Sequence, residues 1–216
     1  MRSKAAIITG ASKGIGRATA LEFAKSGLEI FATARNKPEL ENLKEDIQKL
    51  GGVCSYRVAD LTVEVEVDHF VKQIIKKYGK ISVLVHSAGI AHVGSVSKFP
   101  ISSWHDTMNI NLTAPFLLTQ KCLPYLDANA NIFFINSTAG KNPFADWSAY
   151  CASKFGLKAF TDCLRNELQP KGIKVTSIFP ASVDTPMQDK IPYNWDRSKM
   201  LKANDIAQAI LNCYKQ

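Results

Sequence analysis

The chain has 216 residues, 46% of them apolar and 21% charged, and a formal net charge of +8 at pH 7. This length suits one domain spanning 1–216 with a substantial core, and the aliphatic content excludes a disordered chain. No stretch reaches the roughly 20 apolar residues of a membrane span, and the scattered cysteines Cys54, Cys122, Cys151, Cys163 and Cys213 exclude a disulfide framework and fit reduced thiols in the cytoplasm.

Met1-Arg2-Ser3-Lys4 precedes an apolar run too short for a signal-peptide core. That run, Ala5 to Ile8, reads as a buried strand. Gly14 to Ser26 reads as a helix closed by Gly27, Leu28 to Ala34 as a strand, Pro38 to Leu50 as a helix ended by Gly51-Gly52, and Val53 to Val58 as a third strand. The next helix has Thr62 as its N-cap and a single apolar stripe of Val67, Phe70, Val71, Ile74 and Tyr78. Ile81 to Val85 is an unbroken apolar strand, as a sheet covered on both faces requires. One long helical region follows from Ser103 to Asn129, then a strand at Ile132 to Ile135, a helix from Ser148 to Gln169, a strand at Ile173 to Ile178 and a last helix from Asn204 to Tyr214. Such alternation predicts an α/β fold, a doubly wound, mostly parallel Rossmann-type sheet with helices on both faces. Its ligand lies at the carboxyl ends of the strands.

Between the first strand and helix lies Thr9-Gly10-Ala11-Ser12-Lys13-Gly14-Ile15-Gly16. Glycines there permit a tight turn and close approach of backbone to a pyrophosphate, while the helix N-terminus offers free N–H groups to the phosphates. The spacing is neither the common dinucleotide fingerprint nor a Walker loop. At the end of the second strand an acid selects a ribose 2′-hydroxyl and an arginine a 2′-phosphate. Here stands Ala34-Arg35-Asn36; Arg35, with Lys13 in the glycine loop, points to NADP(H) rather than NAD(H).

Tyr150 and Lys154 are four residues apart on one helix, so phenol and ammonium share a face. A fixed cation nearby favours phenolate and lowers the tyrosine pKa. Upstream, Ser137 ends a strand and reaches the same substrate oxygen. The pattern Thr9-Gly10-x-x-x-Gly14-Ile15-Gly16, Asp60-Leu61, Asn111, Ser137 and Tyr150-x-x-x-Lys154 resembles, in order and spacing, the short-chain dehydrogenase/reductases, from Met1 to about Pro186. The resemblance implies a sheet of strand order 3-2-1-4-5-6 and these roles. Tyr150 is the general acid in reduction and the base in oxidation. Lys154 holds the nicotinamide ribose and lowers the pKa of Tyr150. Ser137 orients and polarises the carbonyl. Asn111 holds a water linking Lys154 to solvent. Asp60 bonds the adenine amino group with Leu61 beside the ring, Pro180 and Val183 flank the nicotinamide, and Thr185 helps hold the carboxamide and phosphate region.

The sequence departs from the family in three places. Where the family has Asn-Asn-Ala-Gly after the fourth strand, this chain has His86-Ser87-Ala88-Gly89. Ser87, Ala88 and Gly89 remain cofactor-lining positions, and His86 is expected to be a hydrogen-bonded buried histidine, not a catalytic one. Pro180-Ala181 replaces Pro-Gly, which either strains Ala181 or changes the turn. Similar proteins continue past the last helix into a seventh strand, whereas this sequence stops at Lys215-Gln216.

Residues 186–203 stand where the family carries a substrate lid. Tyr193, Trp195, Phe144, Trp147 and Met187 either line an apolar pocket or serve in ordinary packing. His92 and His105 lack partners at metal-ligand spacing, so no metal is expected. The densest basic cluster, Lys72, Lys76, Lys77 and Lys80, reads as a solvated helix face rather than a nucleic-acid stripe. The expectation is an NADP(H)-dependent carbonyl reductase of the cytoplasm acting on a small molecule, as a homodimer or homotetramer paired through the Ser103–Asn129 and Ser148–Gln169 helices, with no nucleic-acid or membrane partner. An NADP+-dependent alcohol dehydrogenase and a non-enzymatic NADP(H) sensor or scaffold are the alternatives.

Overall fold

The structure is a computed structural model and describes residues 5–216, so the Met1–Lys4 stretch of the sequence reading lies outside the described residues. Six strands form one sheet: β1 (Ala5–Thr9), β2 (Glu29–Ala34), β3 (Cys54–Val58), β4 (Ile81–His86), β5 (Leu126–Ile135) and β6 (Lys174–Ile178). Their order is β3-β2-β1-β4-β5-β6 and every neighbouring pair is parallel. The chain reverses direction across the sheet between β1 and β4, so a crevice opens at their carboxyl ends.

Parallel strands need crossovers, and here the crossovers are helices. Helices α1 (Gly14–Lys25), α2 (Lys37–Lys49) and α7 (Ala203–Lys215) cover one face. Their Phe23, Leu43 and Ile210 pack with Ala6, Ile8 and Val85 of the strands. Helices α3 (Glu64–Tyr78), α5 (Ala114–Cys122) and α6 (Ser148–Leu168) cover the other, where Phe70, Leu118 and Leu157 meet Ile7, Leu84 and Phe134. The strands are buried on both sides, which explains their continuous apolar runs.

Three expectations need correction. The helical region is not continuous from Ser103 to Asn129. It runs as α4 (Ile101–Met108), a π-turn at Asn109–Thr113, α5 and a 3-10 turn at Leu123–Tyr125. Strand β5 then starts at Leu126, not Ile132. Its register against β4 jumps from Ile81↔Leu126 to Val83↔Asn131, and the extra residues bulge with Asn129 at φ 66°. Thr62 does not cap α3. The residue before the helix is Val63, and Thr62 instead donates its backbone N–H and hydroxyl to Asp60, at 3.0 and 2.7 Å.

Beyond β6 the chain forms β7 (Val183–Asp184), two short 3-10 turns and β8 (Leu201–Lys202), and β7 and β8 pair in parallel as a separate ribbon. Residues 186–200 therefore make a loop closed at its base. No helix among the described residues is long and apolar enough to cross a membrane.

Candidate active site

The glycine loop follows β1 directly. Gly10 has φ 63°, and a Cβ there would lie 2.7 Å from the Ala88 backbone. A Cβ on Gly16 would lie 2.5 Å from the Gly10 carbonyl oxygen, so the loop folds back upon itself with room for backbone only. Gly14 has φ 54° and faces the Thr185 methyl, which a Cβ would meet at 3.2 Å. Thr9 Oγ1 accepts the N–H groups of Ser87 (3.0 Å) and Ala88 (3.1 Å), tying the loop after β4 to the loop after β1. Helix α1 opens after Lys13 with no side-chain cap, leaving the first-turn N–H groups beside half-buried Ser12 and Ile15 to an anion. This donor set, on a backbone stripped of side chains, fits a dinucleotide pyrophosphate.

The two cations stand near this loop, with acids beside them. Arg35 ends β2 and lies 3.8 Å from the Asp60 carboxylate, its guanidinium mostly exposed. Lys13 pairs with Glu39 at 3.3 Å, an acid in the first turn of α2 that the strand-end reading passed over. Burial works against the Asp60 charge, but the bonds from Thr62 and the Arg35 guanidinium hold its carboxyl below the ordinary range. Leu61, next to it, packs against the core.

Ser137, Tyr150 and Lys154 do meet. Ser137 follows β5, and its hydroxyl stands near enough to the Tyr150 phenol to favour its ionised form. It also accepts the Ala139 N–H at 3.1 Å, which fixes its rotamer. Lys154, one turn along α6, sits 5.6 Å from the Tyr150 ring centroid and donates to the Ile135 carbonyl at 2.8 Å. Tyr150 and Lys154 are 8% and 5% exposed, and burial dominates both titrations. It pushes the phenol up to about 12, against the pull of Ser137, and the ammonium down to about 8. The lowered tyrosine pKa expected from Lys154 is therefore not what this geometry gives. The ammonium is turned to the Ile135 carbonyl, and desolvation outweighs it. The phenol is held protonated, the state of a proton donor.

Asn111 lies in the π-turn and is fully buried. Its side chain accepts the Ile90 N–H (2.9 Å) and donates to the Ile90 carbonyl (2.9 Å) and Ser153 Oγ (3.0 Å). It thereby pins the loop after β4 to α6. A Cβ on Gly89 would lie 3.2 Å from Asn111 Oδ1 and 3.9 Å from Lys154 Nζ, so these three positions enclose one space. Across it, Pro180 is buried and its carbonyl accepts the Thr138 N–H at 3.0 Å. Val183 is buried in β7, and Thr185 closes over the glycine loop.

One residue here escaped the sequence reading. Asn136 is 3% exposed; its Oδ1 accepts the Ser137 N–H at 2.9 Å and its Nδ2 donates to the Lys154 carbonyl at 3.2 Å. It couples the serine to the helix turn that carries the lysine. Only a buried asparagine just before the serine hinted at this. Ala181 raises no strain, since among the described residues the non-glycine positions at positive φ are Asn129 and Asp146. His86 is buried, stacks on Phe134 at 4.5 Å and shares a hydrogen bond with Thr119 Oγ1 at 3.0 Å, away from the site. No group of three or more His, Cys, Asp or Glu among the described residues could hold a metal.

Comparison with known proteins agrees with this geometry. The family model described as short chain dehydrogenase matches residues 4–195. An uncharacterized oxidoreductase of Staphylococcus epidermidis is 32% identical, over 100% of this chain and 93% of its own length. Sepiapterin reductase of Chlorobaculum tepidum is 32% identical over 97% of this chain and 89% of its own. Among solved structures, a variant of actinorhodin polyketide ketoreductase with NADPH superposes with a TM-score of 0.90 at 26% identity, covering 98% of this chain and 90% of that one.

Proposed function

The chain belongs to the short-chain dehydrogenase/reductase family, and from that premise we propose that it uses NADPH to reduce a small molecule's carbonyl, of a ketone, aldehyde or 3-oxoacyl group, with Tyr150 as proton donor. The observation that carries this reading is the buried pair of Tyr150 and Lys154 beside Ser137, next to a glycine loop that fits a dinucleotide. A bound NADPH supplies the hydride. Ser137 and Tyr150 together offer two hydroxyls to one carbonyl oxygen, which polarises it and takes up its developing charge. The phenol then gives its proton to that oxygen. Lys154 holds the nicotinamide ribose, and Asn111 fixes the loop carrying Ser87, Ala88 and Gly89 against α6. Gly10, Ser12, Lys13, Gly14, Ile15 and Gly16 take the phosphates. Asp60 and Leu61 take the adenine, Arg35 the 2′-phosphate, and Pro180, Val183 and Thr185 the nicotinamide.

The phenol that gives its proton in reduction takes one back in oxidation, so the ratio of NADPH to NADP+ sets the direction. NADPH in the ketoreductase neighbour and the reductase name of the Chlorobaculum relative support this cofactor and the reducing direction. The chain acts as one domain, with 186–203 as the lid over the substrate. All five cysteines are free, which suits the cytoplasm. Phe116 on α5 and Phe155 on α6 are exposed, an apolar face suited to a second copy of this chain in a homodimer or homotetramer.

The test is NADPH absorbance against a panel of ketones, aldehydes and 3-oxoacyl thioesters, with wild type beside Tyr150→Phe. Substrate-dependent consumption, weaker with NADH and lost in Tyr150→Phe, is expected. Equal turnover by both proteins would remove Tyr150 from the chemistry.

A further inference from the structure

The face of Tyr150 turned from the cofactor loop opens onto other rings. Trp147 packs edge-on against Tyr150, with centroids 5.5 Å apart and planes at 68°. Tyr193 of the lid lies 6.2 Å from Trp147 at 32°, and Trp195 lies 5.5 Å from Tyr193 at 86°. Four rings thus run from the proton donor out to the lid. The side chains packed with them, Ile191 and Met187 among them, are uncharged. Tyr193, the third ring, is 40% exposed, so the row opens to solvent there. The Trp195 indole N–H is buried with no acceptor among the described residues. A donor left in that state is costly, and a ligand acceptor would satisfy it.

These features describe one kind of ligand. The lid's Arg197 and Lys199 are already paired with Asp184, Asp189 and Asp196, so they do not answer a charged ligand. An aliphatic chain would bury area but would not use the ring faces, whose quadrupoles reward an offset or edge-on aromatic partner. The 32° tilt between Trp147 and Tyr193 presents two ring faces near the donor.

We propose that Trp147, Tyr193 and Trp195 form a substrate-selecting wall for a flat, uncharged aromatic or conjugated ring bearing the carbonyl to be reduced. The ring lies against Trp147 and Tyr193, the carbonyl oxygen reaches the Ser137 and Tyr150 hydroxyls, and a ring heteroatom or second carbonyl accepts from Trp195. The proposal rests on the carbonyl-reductase reading and deepens it.

Acetophenone and cyclohexyl methyl ketone are matched in size and differ in the ring. For each, kcat/KM with NADPH is measured in wild type, Trp147→Leu and Tyr193→Leu, and binding to the NADP+-loaded enzyme is measured by calorimetry. The wall predicts an aryl preference of about tenfold or more in wild type. In both variants the ratio of aryl to cyclohexyl kcat/KM collapses to about twofold, whatever the absolute rates. Tyr193 is exposed enough that its substitution leaves folding intact, so the test stands even if Trp147→Leu misfolds. Turnover of both ketones without preference, or with the same preference in all three proteins, overturns the wall and leaves the reductase reading standing. Aryl binding that depends on the wall, with no turnover of either ketone, upholds the wall and sinks the reductase reading. Absence of any aryl binding overturns the wall outright.

Discussion

Replacing His86 with glutamine or phenylalanine should flatten the acid limb of the stability profile. The ring is fully desolvated between β4 and α5, and burial pushes its pKa from the ordinary 6.5 down to about 3. In the folded protein it stays neutral, whereas in the unfolded chain it takes up a proton below about pH 6.5. The unfolded state therefore binds more protons between pH 6.5 and 3, and stability falls as pH drops through that window. Between pH 8 and pH 5 this one group costs about 2 kcal/mol of unfolding free energy. Urea unfolding of wild type and each variant at both pH values isolates the effect, because the other titrating groups cancel in the difference. Wild type should lose about 2 kcal/mol more than either variant over that range. Equal losses would mean that His86 is hydrated or charged in the folded protein, and would remove the argument that it is a neutral structural residue.

Four further substitutions test the site. Arg35→Ala should raise KM for NADPH about tenfold or more and leave KM for NADH nearly unchanged, because only a 2′-phosphate uses the guanidinium; Lys13→Ala should do less, since Glu39 already answers its charge. Asn136→Ala leaves the Ser137 N–H without its acceptor in a buried place and removes the second bond to the Lys154 carbonyl, which keeps its helical one. It should cost about 2–4 kcal/mol of stability, read as a Tm drop of about 5–10 °C, and lower kcat more than it raises KM for NADPH. Gly16→Ala should abolish NADPH binding, measured by quenching of protein fluorescence, because its Cβ would lie 2.5 Å from the Gly10 carbonyl.

The features legible in the sequence were those that local physics determines. Mostly apolar runs marked β1, β2 and β4 because both faces of the sheet are covered there. The glycines between β1 and α1 marked the loop because no other residue fits the backbone approach seen at Gly10 and Gly16. Legibility failed where the deciding partner was remote in the chain. Residues 127–129 read as the tail of a helix because Asp, Ala and Asn carry no strand pattern. Pairing with β4 makes them a bulged strand, and Ser82 holds Asp127 at 2.8 Å. Thr62 looked like a cap until Asp60 claimed its hydroxyl. Ribbons of two residues such as β7 and β8 leave no periodic trace. The tyrosine's pKa ran opposite to expectation because sequence spacing shows that Lys154 is near but not how deeply both are buried.

The central claim is that Tyr150 protonates a carbonyl oxygen while NADPH delivers its hydride. A single-turnover experiment with NADPH deuterated at the nicotinamide C4 position, and a carbonyl compound drawn from the panel, tests it most directly. In wild type the alcohol product should carry deuterium on its carbinol carbon. Tyr150→Phe should bind the cofactor with unchanged affinity and transfer deuterium about 100- to 10,000-fold more slowly. Transfer at the same rate in both proteins, or an alcohol without deuterium, would contradict the account.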